Sequence, residues 1–164
     1  MDKNTPTFKQ LCVNPIHMLA FGFGSGLAKK APGTMGTLAA MPIYYCLSMY
    51  FISNYLQVLL VVVISGIWIC GKAADDIGVH DHGGIVWDEI AGYLLTMYWV
   101  PFSGLNMLFG FVLFRLFDIL KPWPINWADK QVSGGFGIML DDLIAGIMAA
   151  ACLYGFNLFL YTAY

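Results

Sequence analysis

Asp88 and Glu89, Asp118, and the pair Asp141-Asp142 stand at the edges of long apolar stretches that carry no charge. Near hydrocarbon a carboxylate is costly unless a cation neutralises it, so acids at such depth mark function by default. Gathered without a cation, the five would repel one another and be driven toward protonation by desolvation. A hard divalent ion removes that conflict. Oxygen donors with few His and no suitable Cys favour Mg2+ over zinc, and Mg2+ is usually held by one or two carboxylates plus a phosphate. Asp88, Glu89, Asp118, Asp141 and Asp142 are therefore expected to hold one or two Mg2+ ions and to do the chemistry on a bound phosphate.

Cations and glycines nearby supply the rest of an anion site. Arg115, Asp118 and Lys121 are spaced i, i+3, i+6, which places Asp118 beside both cations on one helical face. The planar fork of Arg115 suits bidentate phosphate binding, whereas Lys121 also fits a rim lysine snorkelling to the headgroups. Pro32-Gly33-Thr34-Met35-Gly36-Thr37 reads as a glycine-rich loop opening onto an apolar span, as does Phe21-Gly22-Phe23-Gly24-Ser25-Gly26 upstream. A helix start of that kind binds anions through its free N–H groups, so Gly33, Thr34 and Thr37 join Arg115 and Lys121 as substrate-binding candidates. An ordinary Pro-Gly turn with Thr37 as helix N-cap is the equally weighted alternative. His80 and His82 lack a third ligand for zinc and fit better as lining of a polar mouth. Lys72 with Asp75 and Asp76 has the spacing of a solvated helical ion pair. Cys12, Cys46, Cys70 and Cys152 show no CxxC pairing and read as reduced core residues.

These residues need a membrane scaffold to position them. The chain has 164 residues, 59% apolar and 11% charged, with a mean hydropathy of +0.70. That is too apolar for a soluble domain of this size. Residues 31–71, 90–114 and 143–164 carry no charge. Five spans fit, at about 37–53, 55–71, 83–101, 105–121 and 140–160, the third having to begin near Asp81 to reach across about 30 Å. Pro101-Phe102-Ser103-Gly104 punctuates the third and fourth. The run from Ile16 to Leu27 is too short to cross and reads as an interfacial or re-entrant segment. The N-terminus lacks the form of a cleavable signal and is expected to stay attached. Lys3, Lys9, Lys29, Lys30, Lys72, Lys121 and Lys130 all fall on one side, which places the N-terminus and every ionisable cluster in the cytoplasm. The expected fold is an all-α polytopic helical bundle forming a single domain over 1–164, with a phospholipid of the inner leaflet as ligand and no nucleic-acid partner. Gly146 with Ala150, and Ala151 with Gly155, have the small-xxx-small spacing of helix packing.

With these motifs together the chain closely resembles the bacterial phosphatidylglycerophosphatase A family over nearly its whole length. The resemblance rests on the two glycine elements, Gly78-Val79-His80-Asp81-His82-Gly83, Val86-Trp87-Asp88-Glu89, Phe114-Arg115-Leu116-Phe117-Asp118, Lys121-Pro122-Trp123-Pro124-Ile125 and Gly134-Gly135 through Asp141-Asp142. Ala28-Lys29-Lys30 departs from the family pattern. The resemblance implies a Mg2+-dependent phosphatase of the bacterial inner membrane that converts phosphatidylglycerophosphate to phosphatidylglycerol and phosphate. Attack by a metal-activated water and a covalent aspartyl-phosphate both remain open routes. Two rival functions are a small transporter, disfavoured because no ionisable residue marks the outer half of the bundle, and a phosphatase for another lipid monophosphate.

Overall fold

The protein is described by a computed structural model over residues 5–79 and 82–163. The expectations that fall on Lys3, His80 and Asp81 lie outside the described residues. Within them the chain is all helical. Two short helices, α1 (Phe8–Val13) and α2 (Pro15–Ala20), and a 3-10 turn over Gly22–Leu27 precede α3 (Pro32–Tyr50) and α4 (Tyr55–Ile77). Then follow α5 (Trp87–Met97), α6 (Gly104–Leu120), the short α7 (Ile125–Gln131) and the long α8 (Gly134–Ala163).

Two helical stretches, Ile52–Ile77 and Gly134–Thr162, are long and apolar enough to cross a membrane. The outward faces agree with that setting. Val61, Ile64 and Trp68 on α4, and Leu105, Leu108, Val112, Leu116 and Ile119 on α6, are all exposed at helical spacing. In water such a face would be polar; here the stripe that meets the surroundings is as apolar as the one that meets the core.

The interior is organised around α5. Nine of its eleven residues are buried, because α3, α4, α6 and α8 all pack against it. Small residues make this possible. A Cβ on Gly146 would lie 2.6 Å from the Gly92 carbonyl oxygen, so α5 and α8 touch backbone to backbone. The Thr96 hydroxyl donates into that seam, to the Gly92 carbonyl at 2.9 Å and the Gly146 carbonyl at 3.3 Å. Gly155, the other small-xxx-small glycine, has no neighbour there. Toward the end of the bundle away from the carboxylates, Tyr55 and Tyr93 donate to the carbonyls of Leu94 and Met107. Asn106 and Asn157 exchange two hydrogen bonds of 3.1 and 3.0 Å between α6 and α8. Each of these satisfies a polar group that lipid could not.

Several boundaries differ from the sequence reading. Helix α5 starts at Trp87 rather than near Asp81, so it rises only about 17 Å. The residues before it form a strap: the Ile85 N–H donates to the His82 carbonyl, and the Val86 N–H to the Ala20 carbonyl at 2.8 Å. Being enclosed by protein, α5 has no need of the length that lipid contact would demand. Helix α8 begins at Gly134, so Asp141 and Asp142 lie two turns inside it and neither is a cap. Pro32–Thr37 is not a loop but the first turns of α3, with Pro at its start and Ala31 as a left-handed N-cap (φ 47°). Thr37 is therefore no N-cap; its buried hydroxyl donates to the Gly33 carbonyl at 2.9 Å. The upstream glycine element is also structural, since a Cβ on Gly26 would collide with the Gly84 carbonyl. Lys72 and Asp76 do pair on the exposed end of α4, joined by His17. All four cysteines are free, and only Cys70 is in the core.

The seam between α5 and α8 carries a direct test. Gly146→Val forces the two helices apart and is expected to cost about 2 kcal/mol, read as a lower unfolding temperature in detergent. Unchanged thermal stability would show that the close approach is not needed.

Candidate active site

Four helices deliver charge to one place. The first turn of α5 supplies Asp88 and Glu89, where the positive end of the helix favours acids. The C-terminal half of α6 supplies Arg115 and Asp118, and its C-cap supplies Lys121. Helix α7 adds Asp129, and the third turn of α8 adds Asp141 and Asp142. A cavity of about 400 Å³ is lined by Asp88, Glu89, Asp118, Lys121, Asp129, Asp141 and Asp142, closed by Gly83, Ile85, Val132, Gly137 and Ile138. A wider, shallower recess between the N-terminal arm and the end of α4, touching Lys9, His17 and Asp76, lacks any comparable clustering of charge.

The anionic residues are unevenly compensated. Arg115 pairs with Asp118 and approaches Glu89 Oε1 at 3.7 Å. Lys121 Nζ lies 2.5 Å from Asp129 Oδ1 and 2.7 Å from Asp141 Oδ2. Among the described residues six carboxylates thus face two cations. Asp88, Glu89 and Asp142 each offer an oxygen, all within 4.8 Å of one another, and Asp142 is only 3% exposed. The second Glu89 oxygen, Oε2, is buried and has no hydrogen-bond partner among the described residues, and the same holds for Arg115 Nε. Buried acceptors are normally satisfied, so an orphaned carboxylate oxygen inside an acidic cluster has the chemistry of a ligand awaiting a cation. The donor set is oxygen only and compact, which fits Mg2+ or Mn2+ better than zinc.

Not every residue proposed from sequence reaches this cavity in the way expected. Asp88, Glu89, Asp118, Asp141, Asp142 and Lys121 line it. Lys121 pairs with Asp129 and Asp141 rather than Asp118, because the chain leaves the helix at Lys121 in a left-handed conformation (φ 42°). Arg115 sits behind Glu89 and Asp118 instead of lining the cavity. Gly33 packs there too: a Cβ at that position would strike Glu89 Oε1 and lie 3.0 Å from an Arg115 nitrogen. Thr34 and Thr37 belong to the helical start of α3 and are not among the lining residues. His82 uses both ring nitrogens, accepting from the Gly84 N–H at 3.1 Å and bonding Thr5 Oγ1 at 3.0 Å, which leaves none for a metal. Asp129 is the residue that sequence reasoning passed over. Eight residues along one helix would leave it about 12 Å from Lys121, and the break between α6 and α7 at Pro122–Pro124 brings the two together.

Comparison with known proteins places the chain. A family model described as phosphatidylglycerophosphatase A matches residues 18–157. The phosphatidylglycerophosphatase A of Escherichia coli strain K12 is 47% identical over 142 residues, covering 86% of this chain and 83% of the relative. That of Haemophilus influenzae is 44% identical over 156 residues, covering 94% and 96%. A Bacteroides thetaiotaomicron protein with a provisional phosphatidylinositol-3-phosphatase name is 34% identical over 140 residues, covering 79% and 86%. No solved structure matches. With the family pattern spanning most of its length, the chain belongs to the phosphatidylglycerophosphatase A family.

Proposed function

We propose that the chain hydrolyses the terminal phosphomonoester of phosphatidylglycerophosphate, yielding phosphatidylglycerol and inorganic phosphate in phospholipid biosynthesis. The observation that carries the chemistry is the trio of buried Asp88 and Asp142 with partly buried Glu89, their oxygens within 4.8 Å, in a cavity whose lining includes Lys121. The higher identity to two phosphatidylglycerophosphatases than to the inositol-lipid relative favours this substrate over another lipid monophosphate.

Asp88, Glu89 and Asp142 are the residues that would hold Mg2+, with Asp118 and Asp141 alongside. The ion, when bound, supplies neutralisation of phosphoryl charge and a more acidic water. The chain's own residues do the rest. Lys121 binds the phosphoryl oxygens of the arriving substrate and keeps hold of them through the reaction. Arg115 holds Glu89 and Asp118 from behind, and Gly33 leaves the room for that contact. The apolar walls of Ile85, Val132 and Ile138 limit access of bulk water, which strengthens every charge interaction within.

In our reading α3, α4, α5, α6 and α8 form a multi-pass bundle in the bacterial inner membrane, with the carboxylate end toward the cytoplasm and the segment before α3 at that interface. The charge-free stretches 31–71, 90–114 and 143–164 support it, as does the one-sided placement of lysines. A lipid then presents its headgroup at the depth of the cavity.

Phosphate release from phosphatidylglycerophosphate in detergent micelles is expected to vanish when divalent cations are chelated and to return with Mg2+. Asp142→Asn should lower kcat by about 100-fold or more in protein that elutes as the native species. Near-native turnover in that variant, or full activity in chelator, would remove the metal site from the mechanism. Gly33→Val, which drives a side chain into Glu89, is expected to reduce kcat about tenfold; an unaltered rate would show that the Gly33 contact plays no part.

A further inference from the structure

We propose that Asp129 is a positioning residue that holds the Lys121 ammonium across the carboxylate cavity, so that an arriving phosphate meets a cation already in place. The proposal rests on the reading above that Lys121 receives the phosphoryl group.

The cavity lining makes this cation matter. Among the described residues it contains six carboxylates and one positively charged side chain, Lys121. The other nearby cation, Arg115, lies behind Glu89 and Asp118. A dianionic phosphomonoester approaching such a surface depends on where the ammonium stands. Lysine is poorly suited to standing still, since its four-carbon stem has several rotamers and at a membrane surface it turns outward to water.

Two fixed carboxylates prevent that. Asp129 Oδ1 lies at 2.5 Å and Asp141 Oδ2 at 2.7 Å from Nζ, engaging two of the three ammonium donors and leaving the third for a ligand. Both anchors are rigid. Asp141 is buried within α8, and Asp129 rides on α7, whose Ile125 and Ala128 are fully buried against the bundle. Asp129 therefore cannot follow the lysine outward; it is a tether carried on α7, which packs against α8. Exposed ion pairs contribute little to stability, and this pair, about one third exposed at each end, is better placed for orienting a group than for holding the fold.

The backbone supports the same conclusion. Lys121 is the C-cap of α6 with φ 42° and ψ 54°, a left-handed conformation in which glycine is strongly preferred and a Cβ is strained. A lysine at that position works against the local geometry, as strained residues at functional sites do. Its side chain, not its backbone, accounts for its presence.

The test uses full-length protein in detergent micelles, with phosphatidylglycerophosphate as substrate and inorganic phosphate as competitive inhibitor. Asp129→Asn is expected to raise both KM and the Ki of inorganic phosphate about fivefold to tenfold with kcat within about twofold, and Asp129→Glu to recover most of the loss. Lys121→Gly, which relaxes the left-handed backbone, should fold at least as well as the native chain and raise both constants by at least as much. Unchanged or tighter phosphate binding in Asp129→Asn, with both constants raised in Lys121→Gly, overturns the proposal and makes Asp129 a bystander or a competitor for the lysine. A fall in folded yield or kcat with KM and Ki unmoved does the same, by showing a structural role. If Lys121→Gly itself changes neither constant, the reading of Lys121 as phosphate ligand fails, and the role of Asp129 falls with it.

Discussion

Carboxylates that approach within 4.8 Å of one another inside a protein repel strongly. For one ionised pair at that separation and an effective dielectric of about 20 the cost is about 3 kcal/mol, and Asp88, Glu89 and Asp142 make three such pairs. Arg115 and Lys121 discharge this trio only in part: Arg115 approaches Glu89 at 3.7 Å but pairs more closely with Asp118, and Lys121 pairs with Asp129 and Asp141. The arrangement persists because the helices over-determine it. Asp88 and Glu89 are fixed by the most enclosed helix in the chain, and Asp142 by a helix that touches α5 backbone to backbone.

That constraint explains features that would otherwise look unrelated. Helix α5 is short because it is surrounded, not solvated by lipid, and the strap through Gly84 and Val86 sets where it starts. Glycines at 33, 92 and 146 occupy the places where a side chain would push charge-bearing helices apart. Polar groups remote from the cavity, such as the Asn106–Asn157 pair, are tied off among themselves. The packing therefore concentrates its unsatisfied electrostatics at one cavity, which is where a charged ligand can be bound most strongly.

Much of this was legible in the amino-acid order. The charge-free stretches announced apolar helices, two of them long enough to cross a membrane, and the acids at their edges announced where charge would gather. The i, i+3 spacing of Arg115 and Asp118 gave their pairing, as the i, i+4 spacing did for Lys72 and Asp76. What the order hid was set by contacts distant in sequence. The start of α5 depends on a hydrogen bond from Val86 to Ala20, and the two extra turns of α8 before Asp141 rest on Gly135 fitting against Ile67 and Gly71. Helical periodicity assigned Lys121 to Asp118 because it could not foresee the left-handed exit that swings the lysine to Asp129. The same exit is why Asp129 carried no visible signal.

The most direct test of the central claim is to locate the cation itself. Mn2+ takes the same oxygen ligands as Mg2+ and scatters anomalously, so crystals of the protein grown with saturating Mn2+ report its position without reference to activity. The account predicts an anomalous peak bonded to carboxylate oxygens of Asp88, Glu89 and Asp142, absent in the Asp142→Asn protein. Well-ordered side chains with no peak among them would contradict it.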